Sequence, residues 1–390
     1  MAEELSYVLV TPYSIRKSRT GGILSRLISR TGLDLVAARM YSPSKELAEK
    51  YAANLVSNED PDPAHRTMQE QIKQYALKNL SPNAAGSQPR VLFLVFKGED
   101  AVQKIRLAVG NIMNERTSGE TIRDTFGDYI VDENGRAVYF EPAVLAPPDA
   151  KSAEADLKLW ASYSDSDGGL IEKAVEYPAG TKVEKTLVLI KPENFRFASA
   201  RPGGVIDLFS RSGLYIIAFK VHRMSVAQAE EFYGPVLEVL QDKLRGRAGE
   251  QAHKVLEKEF GMALPEEVRT QLGDVLGPTI GRDNWEQIVK FMAGNRPSDC
   301  PADKRREPGT EKCIALVYQG VDAVRKIREV LGPTDPSKAP SGTIRREFGS
   351  TIMVNAAHAS DSPENAQREM GIVNITENNL KPLIESWYAK

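Results

Sequence analysis

The sequence predicts an α/β fold, an α+β sandwich made of two ferredoxin-like βαββαβ domains in tandem. Apolar strand runs alternate with apolar-periodic helices along the 390-residue chain. The same ordered set of segments also occurs twice, which we call copy one and copy two. Alternation on this scale favours one sheet per copy with helices packed over it.

The first half of the repeated unit is a buried-type strand ended by proline, then a helix that follows a glycine pair, then a second strand. The opening strands are Y-V-L-V-T-P-Y-S (7–14) and L-V-L-I-K-P-E-N (187–194). The helix and second strand cover 21–33 and 34–40 in copy one, and 203–214 and 215–221 in copy two. Each copy then continues into a helix.

The second half repeats more closely. V-L-F-L-V-F-K-G-E-D-A-V-Q-K-I-R (91–106) matches C-I-A-L-V-Y-Q-G-V-D-A-V-R-K-I-R (313–328), and S-G-E-T-I-R-D-T-F-G (118–127) matches S-G-T-I-R-R-E-F-G (341–349). Two unrelated α/β domains would not share D-A-V-x-K-I-R. The apolar run T-I-M-V (351–354) is predicted to be the last strand of copy two.

The spacing between matched residues predicts the domain boundaries and inserts. Copy one is assigned to 1–160, a turn-rich linker to 161–184, and copy two to 185–390. The offset rises from 182 at Tyr51/Tyr233 to 216 at Ile72/Ile288, so copy two has 34 extra residues, an insert near 241–284. Within it, the segment 248–276 is predicted to form two added helices. Copy one has a predicted β-hairpin over 128–140 that turns at Asn134-Gly135.

The overall composition excludes several classes of protein. With 51 basic and 53 acidic residues, the chain lacks the basic excess expected when nucleic acid is the main partner. No apolar run approaches a membrane span, and the acidic start is not typical of a secretory signal. Cys300 and Cys313 are too few for a disulfide framework. We expect a soluble, cytoplasmic protein.

One of only four histidines, His358, lies in N-A-A-H-A-S-D-S (355–362) at the end of the predicted last strand. A histidine at a strand end is more often structural than catalytic. Here, however, the segment 361–369 begins with residues that cap helices, and Glu369 lies where it could orient the imidazole. His358 is therefore a candidate nucleophile.

Phosphate chemistry is suggested by cations in the same copy. Lys191 closes a strand, Arg328 closes a helix, and Arg345 lies in the loop before the last strand. Arginine matches phosphate oxygens in geometry and charge, although most arginines are surface ion-pair residues. No G-x-x-x-x-G-K-[ST] occurs, so a P-loop nucleotide site is excluded. Without a P-loop, these cations together with a magnesium ion could supply the positive charge that the phosphates of a nucleotide need.

The ordered motifs K-P-E-N, Tyr233, R-x-x-x-G-x-T-x-P (328–336), S-G-T-I-R (341–345) and N-A-A-H-A-S-D-S resemble the nucleoside diphosphate kinase family. The resemblance covers nearly all of copy two outside its inserts, and copy one more weakly. It implies that each βαββαβ domain is of the nucleoside diphosphate kinase type, and that the chain transfers the γ-phosphate of a nucleoside triphosphate to a nucleoside diphosphate.

The resemblance also implies a role for each matched residue. His358 would be the nucleophile, Glu369 and Ser360 would fix its imidazole, and Tyr233 would lie beside it. The residues implied to bind the nucleotide are Lys191, Trp285, Arg328, Thr334, Arg345, Ile352 and Asn355. Trp285 and Ile352 would sandwich the base, although core packing is the alternative for Trp285. No protein-built metal site is implied; Mg²⁺ would bridge the phosphates. Self-association through domains of this type is also implied.

Three residues depart from the family pattern. Glu193 stands where the family has aspartate, and Trp285 where it commonly has phenylalanine. Ala359 replaces a glycine, which would be unfavourable if that position needs a positive φ.

Copy one is predicted to have lost the chemistry. Its counterparts of Lys191 and Thr334 are Thr11 and Ile112, and those of Asn355 and His358 are Pro142 and Leu145. Tyr51, Arg106 and Arg123 remain, either to hold an anion or nucleotide or as relics that form surface ion pairs; we favour relics. For the whole chain, the alternatives to the kinase are a non-catalytic nucleotide- or protein-binding module and phosphoryl transfer from the histidine to a protein.

Overall fold

A computed structural model of the chain describes residues 3–56, 63–83, 88–111, 119–134 and 137–389. Ile112 and Gly135, which the sequence singled out, lie outside these residues.

The strands of copy one are β1 (Glu3–Val10), β2 (Asp34–Tyr41), β3 (Val91–Glu99), β4 (Asp128–Val131), β5 (Ala137–Glu141) and β6 (Val144–Leu145). The strands of copy two are β7 (Glu184–Ile190), β8 (Tyr215–His222), β9 (Cys313–Gly320) and β10 (Ala357–Ala359).

The helices of copy one are α1 (Pro12–Arg16), α2 (Thr20–Thr31), α3 (Lys45–Asn54), α4 (Pro63–Asn79), α5 (Ala101–Val109), α6 (Ile122–Phe126) and α7 (Ala150–Ser162). Those of copy two are α8 (Arg201–Phe209), α9 (Val226–Phe260), α10 (Glu266–Ala293), α11 (Ala323–Leu331), α12 (Ile344–Phe348), α13 (Pro363–Ile372) and α14 (Leu380–Tyr388). Short 3₁₀ turns include Pro192–Phe195, directly after β7.

Two sheets, formed by the described residues, confirm the predicted fold. The order is β2-β3-β1-β6 in copy one and β8-β9-β7-β10 in copy two. The pairings on either side of β1 and β7 are antiparallel. In both copies the first strand therefore lies between the third and the last, as the βαββαβ connection requires.

The register within the two sheets is the same. Leu9 of β1 pairs with Phe93, and Leu189 of β7 pairs with Ala315. Both central strands are buried along almost their whole length, which is why they appear in the sequence as continuous apolar runs.

Helices α2 and α8 pack against each other and join the two copies. A Cβ on Gly21 would lie 2.5 Å from the Gly203 carbonyl oxygen. The first glycine of each pair therefore lets the two helix backbones approach closely. Side chains from both copies form one buried cluster around this contact. The repeated glycine pair is thus explained by packing.

The C-terminal helix α14 packs on copy one instead of copy two. Leu380 and Ile384 are almost fully buried in the apolar cluster of copy one. The preceding segment is held by Arg39, whose guanidinium donates to the carbonyls of Thr376 and Glu377 at 3.3 and 3.1 Å. The end of copy two therefore stabilises copy one.

Residues 222–313 form a separate compact unit. It consists mainly of α9 and α10, which are 35 and 28 residues long and antiparallel neighbours. The prediction of two added helices over 248–276 is wrong in detail. The extra residues lengthen the two helices that correspond to α3 and α4.

A glycine row explains why α9 and α10 lie so close. Gly273, Gly277 and Gly281 recur every four residues, which puts them on one face of α10. A Cβ on Gly281 would lie 2.6 Å from the Cα atom of Gln241 in α9. Larger residues in this row would force the helices apart.

Antiparallel strands β4 and β5 form the hairpin predicted for copy one. The domain boundaries at 160 and 184 stay a prediction, although α7 ends at Ser162 and β7 begins at Glu184. In the part of the chain that the structure describes, no helix is long and apolar enough to cross a bilayer.

Candidate functional site

His358 lies within the last strand of copy two and not after it. The sequence placed that strand at 351–354, but these residues form a bend, in which the amides of Ser350 and Thr351 donate to the Val354 carbonyl. Strand β10 begins only at Ala357, and His358 pairs with Leu189 of β7. The prediction was wrong because an apolar run of strand length does not by itself show which residues pair.

A kink before β10 determines where the strand begins. Ala356 has φ +70°, and its carbonyl accepts from the amide of Lys191 at 3.0 Å. Asn194 donates its side-chain amide to the same carbonyl at 2.8 Å, and Glu193 accepts from the Ala356 amide at 2.9 Å. The K-P-E-N segment thus holds the backbone that presents His358.

These contacts resolve two of the departures noted in the sequence. Glu193 reaches the Ala356 amide, so a glutamate serves as a backbone acceptor at this position. Ala359 lies in β10 and is not among the described residues with positive φ. The condition for strain at Ala359, a positive φ, is therefore not met; the left-handed residue is Ala356, three positions earlier.

The imidazole of His358 is fixed by a buried carboxylate. Its Nε2 lies 2.9 Å from Oε2 of Glu369, and Ser360 donates its hydroxyl to the same oxygen at 2.6 Å. Glu369 is 5% exposed and Ser360 fully buried, whereas the His358 side chain is 25% exposed. An ionised carboxylate only accepts, so the neutral imidazole carries its proton on Nε2 and its lone pair on Nδ1.

Helix α13 positions Glu369. The hydroxyl of Ser362 caps its first turn by accepting from the Asn365 amide at 3.1 Å, and Pro363 occupies the first helical position. The helix packs on β7, so Glu369 faces the sheet that carries His358. The predicted role of the D-S-P-E-N segment as a helix start is confirmed, with Ser362 as the cap.

Four of the predicted phosphate-binding residues meet next to this strand. Arg345 donates to the carbonyls of Gly332 and Ala357 at 3.0 and 3.3 Å, and to the Thr334 hydroxyl at 3.4 Å. Asn355 donates to the Thr334 carbonyl at 3.2 Å and accepts from the Lys191 ammonium at 3.0 Å. One connected cluster therefore contains both a guanidinium and an ammonium group.

The ammonium group of Lys191 is buried, at 8% exposure, and also donates to the Met353 carbonyl. Burial lowers its pKa to about 8; the Glu193 carboxylate opposes this shift and the Arg345 charge adds to it. A cation kept in so little water interacts strongly with an anion that reaches it.

Two other predicted residues, Arg328 and Ile352, are exposed. Ile352 is 64% exposed, and its carbonyl accepts from Asn355 at 2.8 Å, which ties it to the cluster. Arg328 lines a separate cavity of about 500 Å³ with Asp361 and Pro363. Among the described residues its side chain makes no hydrogen bond or ion pair. The structure thus does not bring Arg328 into contact with the Arg345 cluster.

The last two predicted residues, Tyr233 and Trp285, belong to the unit of residues 222–313. Trp285 is only 6% exposed, and its indole N–H donates to the Tyr233 carbonyl at 2.9 Å. A side chain that stacks on a base must present a ring face, so this burial supports core packing of Trp285 over base stacking. The ring of Tyr233 lies against Phe232.

Within the described ranges, no group of three or more His, Cys, Asp or Glu side chains is arranged to hold a metal ion. Magnesium is usually held by one or two carboxylates together with substrate phosphates. The residues around His358 therefore fit a magnesium ion that arrives on a phosphate chain, and not a cage built by the protein.

The corresponding site of copy one is filled by side chains. Asp156, the counterpart of Glu369, accepts from the Tyr7 hydroxyl at 2.7 Å and from the Asn54 amide at 2.9 Å. The Tyr7 and Tyr51 hydroxyls lie 3.1 Å apart, and Trp160 packs edge-on against Tyr51. All three aromatic side chains are fully buried. The orienting carboxylate has thus become part of a core network.

The phosphate side of copy one has changed as well. Thr11 stands in place of Lys191 and donates to Glu141 at 2.9 Å, and Tyr75 donates to the same buried carboxylate. Arg123, the counterpart of Arg345, donates to the carbonyls of Gly110 and Val144. A neutral hydroxyl bound to a buried carboxylate thus takes the place of a cation, which supports the interpretation that Arg106 and Arg123 are relics.

Sequence reasoning gave Glu193 and Asn194 no role in holding the kink at Ala356. The repeat contained a signal for one of them. In copy one Ala143 also has a positive φ, +60°, and Ser14 donates to its carbonyl at 2.9 Å, as Asn194 does to Ala356. A polar residue after the proline in both copies could have predicted this anchor.

Comparison with known proteins agrees with the motifs. The family model described as nucleoside diphosphate kinase matches residues 4–161 and 308–378, more than half of the chain. A nucleoside diphosphate kinase of Kosmotoga olearia is 31% identical over 190 residues, 49% of this chain and 88% of the relative. One from Pyrobaculum aerophilum is 30% identical over 198 residues, 48% of this chain and 93% of the relative.

Solved structures give matches of similar extent. The crystal structure of an NDP kinase from Pyrobaculum aerophilum is 28% identical and covers 50% of this chain and 100% of its own, with a TM-score of 0.33. The Aquifex aeolicus nucleoside diphosphate kinase is 26% identical, covers 51% and 99%, and has a TM-score of 0.30.

Proposed function

Because the chain belongs to the nucleoside diphosphate kinase family, we propose that copy two transfers the γ-phosphate of a nucleoside triphosphate to a nucleoside diphosphate through a phosphohistidine at His358. The observation that carries this proposal is the contact between His358 Nε2 and Glu369 Oε2, 2.9 Å long, made by an imidazole that is itself partly exposed.

In the first half-reaction the lone pair on Nδ1 of His358 attacks the γ-phosphorus. A nitrogen–phosphorus bond forms, the bond to the bridging oxygen breaks, and the nucleoside diphosphate leaves with that electron pair. The imidazole becomes cationic as it reacts. Glu369 then faces the N–H of a charged ring, so its carboxylate stabilises the product of this step.

The second half-reaction runs in reverse with a different nucleotide. A terminal phosphate oxygen of the incoming nucleoside diphosphate attacks the phosphorus, and the nitrogen–phosphorus bond breaks. The electron pair returns to Nδ1, and the ring is neutral again. One site that serves two nucleotides in turn predicts ping-pong kinetics.

The cluster around Arg345 would hold the phosphates. Arg345 and Lys191 supply positive charge, while Thr334 and Asn355 supply polar groups connected to both cations. Arg328, which is exposed, would join them at the outer side once a nucleotide is bound. Magnesium bound to the phosphates would supply further positive charge.

The base would lie against the exposed side chain of Ile352. An aliphatic surface discriminates poorly among bases, so we expect nucleoside tri- and diphosphates of several bases to be substrates. Trp285 is left out of this proposal because it is buried in its own unit.

Labelling with a γ-³²P nucleoside triphosphate tests the proposal. The chain should acquire an acid-labile, base-stable label that a nucleoside diphosphate removes, and His358→Ala should abolish it. His65→Ala, which removes a histidine of copy one, is the matched control and should label normally. Label that survives in His358→Ala would contradict the proposal.

The same experiment separates the two alternatives. A non-catalytic module of this fold would take up no label. The lengthened helices α9 and α10, with exposed apolar side chains such as Phe260 and Val275, would suit a protein partner. Transfer from His358 to a protein would give a label that an acceptor protein, and not a nucleoside diphosphate, removes. Self-association stays a prediction.

A further inference from the structure

A buried arginine of copy one anchors the segment that follows α13 in copy two. Arg39 is 6% exposed, and its guanidinium donates to the carbonyls of Thr376 and Glu377 at 3.3 and 3.1 Å. The same group donates to the linker carbonyls of Ser164 and Gly168 at 2.9 and 3.3 Å. A Cβ on Gly168 would lie 2.7 Å from Nε of Arg39, so the linker fits closely around the guanidinium. Because this planar group has fixed donor directions, it holds the linker and the copy-two segment in one arrangement.

The counterpart of Arg39 in copy two holds the same segment. Arg39 and Lys220 occupy the same position in the second strand of each copy, in A-A-R-M and A-F-K-V. Lys220 is 3% exposed, and its ammonium group donates to the carbonyls of Val373 and Asn374 at 3.1 and 2.8 Å. One buried cation from each copy therefore binds the backbone of residues 373–377.

These bonds fix the end of α13, the helix that carries Glu369. The amide of Val373 donates to the Glu369 carbonyl at 3.1 Å. Asn374 then takes the left-handed conformation, with φ +47°, that commonly follows the last turn of a helix. Lys220 places its charge on the carbonyls at this end, where the helix dipole favours a cation. The position of Glu369 therefore depends on how the residues after the helix are held.

Further bonds to copy one lie farther along the segment. The side-chain amide of Asn378 donates to Ser164 Oγ at 2.6 Å and to Asp165 Oδ1 at 2.7 Å. Lys381 donates to the other oxygen of Asp165 at 3.1 Å. Exposed ion pairs such as this last one contribute little to stability, which leaves the buried Arg39 as the main anchor.

The contact between Glu369 and His358 is sensitive to small displacements. It is a hydrogen bond 2.9 Å long, and the carboxylate oxygen that makes it also accepts from Ser360. A shift of about 1 Å would take the imidazole out of hydrogen-bonding distance of Glu369. Misplacement of this size can slow a reaction about 100-fold. Anchoring of α13 therefore matters for the imidazole and not only for stability.

We propose that copy one is a positioning domain for the site in copy two: Arg39 anchors the residues after α13 and so keeps Glu369 against the imidazole of His358. The inference rests on the proposed function, because it links Arg39 to the reaction at His358. Arg39 acts through Glu369 and is a positioning residue, not a catalytic one. This role gives copy one, which lacks the histidine and the lysine, a part in the reaction of copy two.

Single-turnover labelling with saturating γ-³²P nucleoside triphosphate tests the inference. Arg39→Ala should slow labelling about 3- to 10-fold, the size of effect that mutations along coupled contact networks produce. Asn378→Ala should slow labelling as well; it breaks bonds nearer the surface, so the test stays valid if Arg39→Ala does not fold. The control Tyr75→Phe, which removes a buried hydrogen bond of copy one to Glu141, should label at the wild-type rate. Equal rates in wild type, Arg39→Ala and Asn378→Ala would overturn the inference.

A double-mutant cycle separates positioning from general destabilisation. In a Glu369→Ala background, Arg39→Ala should cause no further slowing, because the carboxylate whose position it controls is gone. A further fall by the same factor would show that Arg39 acts independently of Glu369, and the inference would be wrong.

NMR of ¹⁵N-histidine-labelled chain gives a measurement that does not depend on labelling. In wild type the proton of the His358 imidazole should be on Nε2, and the signal is assigned by its absence from His358→Ala. In Arg39→Ala the proton should be shared between Nε2 and Nδ1, because Glu369 no longer holds one tautomer. A His358 signal identical to that of wild type would contradict the role of Arg39. A wild type that takes up no label would contradict the proposed function instead, and the NMR comparison would still decide the role of Arg39.

Discussion

Leu145 in copy one and His358 in copy two occupy the same register position. Leu145 lies opposite Leu9, and His358 lies opposite Leu189, the residue that matches Leu9. Unlike a histidine, a leucine has no lone pair with which to accept a phosphoryl group.

Restoring the histidine to copy one should not restore activity. We expect Leu145→His, added to His358→Ala, to acquire no more label than His358→Ala alone. Asp156 is already held by Tyr7 and Asn54, and Thr11, the counterpart of Lys191, supplies no cation and donates to Glu141. Labelling with γ-³²P nucleotide is the measurement. An acid-labile label on the double variant would show that the site in copy one can still phosphorylate a histidine.

Removing the charge at Glu369 should slow phosphorylation of His358. In Glu369→Gln a neutral amide cannot stabilise the cationic ring, and we expect the single-turnover labelling rate to fall about 10- to 100-fold. The pH profile of the labelling rate should also shift in Glu369→Gln, whereas a variant that is only destabilised would not shift this profile. Glu364→Gln, exposed on the same helix, is the control. A labelling rate unchanged by Glu369→Gln would be inconsistent with this role.

The pKa of Lys191 should appear in the pH dependence of labelling. Burial lowers that pKa to about 8, against about 10.4 for an ordinary lysine, so the free site loses this cation as the pH rises above 8. The labelling rate at subsaturating nucleotide should therefore fall there. Lys191→Arg keeps its charge and should lack this decline. The control is Lys185→Arg, at the start of β7, which should show the same decline as wild type. If Lys191→Arg also declined above pH 8, the decline would come from a group other than Lys191.

Asp156 should make the stability of the chain depend on pH. Burial raises the pKa of its carboxyl to about 6, above the unfolded value near 3.8. The folded state therefore holds the proton more tightly. This contribution is fully present below about pH 4 and is lost as the pH rises through 6, with a magnitude of about 3 kcal/mol.

Chemical denaturation of wild type and Asp156→Asn at pH 4 and pH 7 measures this effect. The neutral variant should lose less free energy of unfolding than wild type between the two pH values. Asp34→Asn, an exposed carboxylate at the start of β2, should behave as wild type. Equal losses in wild type and Asp156→Asn would mean that Asp156 is charged in the folded state throughout.

The repeat allowed the sequence to predict much of the fold. Matched residues correctly identified the tandem sheets, the hairpin of copy one, and Leu145 as the counterpart of His358. These features depend on the local apolar pattern and on the order of the segments along the chain. Because of the repeat, this one sequence shows both of them twice.

The remaining features depend on contacts between distant segments. The apolar run 351–354 resembles a strand, but Glu193 and Asn194 hold the backbone so that pairing begins at Ala357. Likewise, Trp285 could have stacked on a base or packed in a core, and its burial is determined by the partner helix. Periodicity also predicts where a helix forms, but not whether an insert lengthens an existing helix.

The nitrogen that carries the phosphoryl group tests the central claim most directly. Nε2 of His358 faces Glu369, so the phosphoryl group should be on Nδ1. NMR of ¹⁵N-histidine-labelled chain after reaction with a nucleoside triphosphate distinguishes the two nitrogens through their coupling to ³¹P. We predict phosphorus coupling to Nδ1 of His358 alone. Coupling to Nε2, or phosphorus on any other residue, would contradict the proposed mechanism.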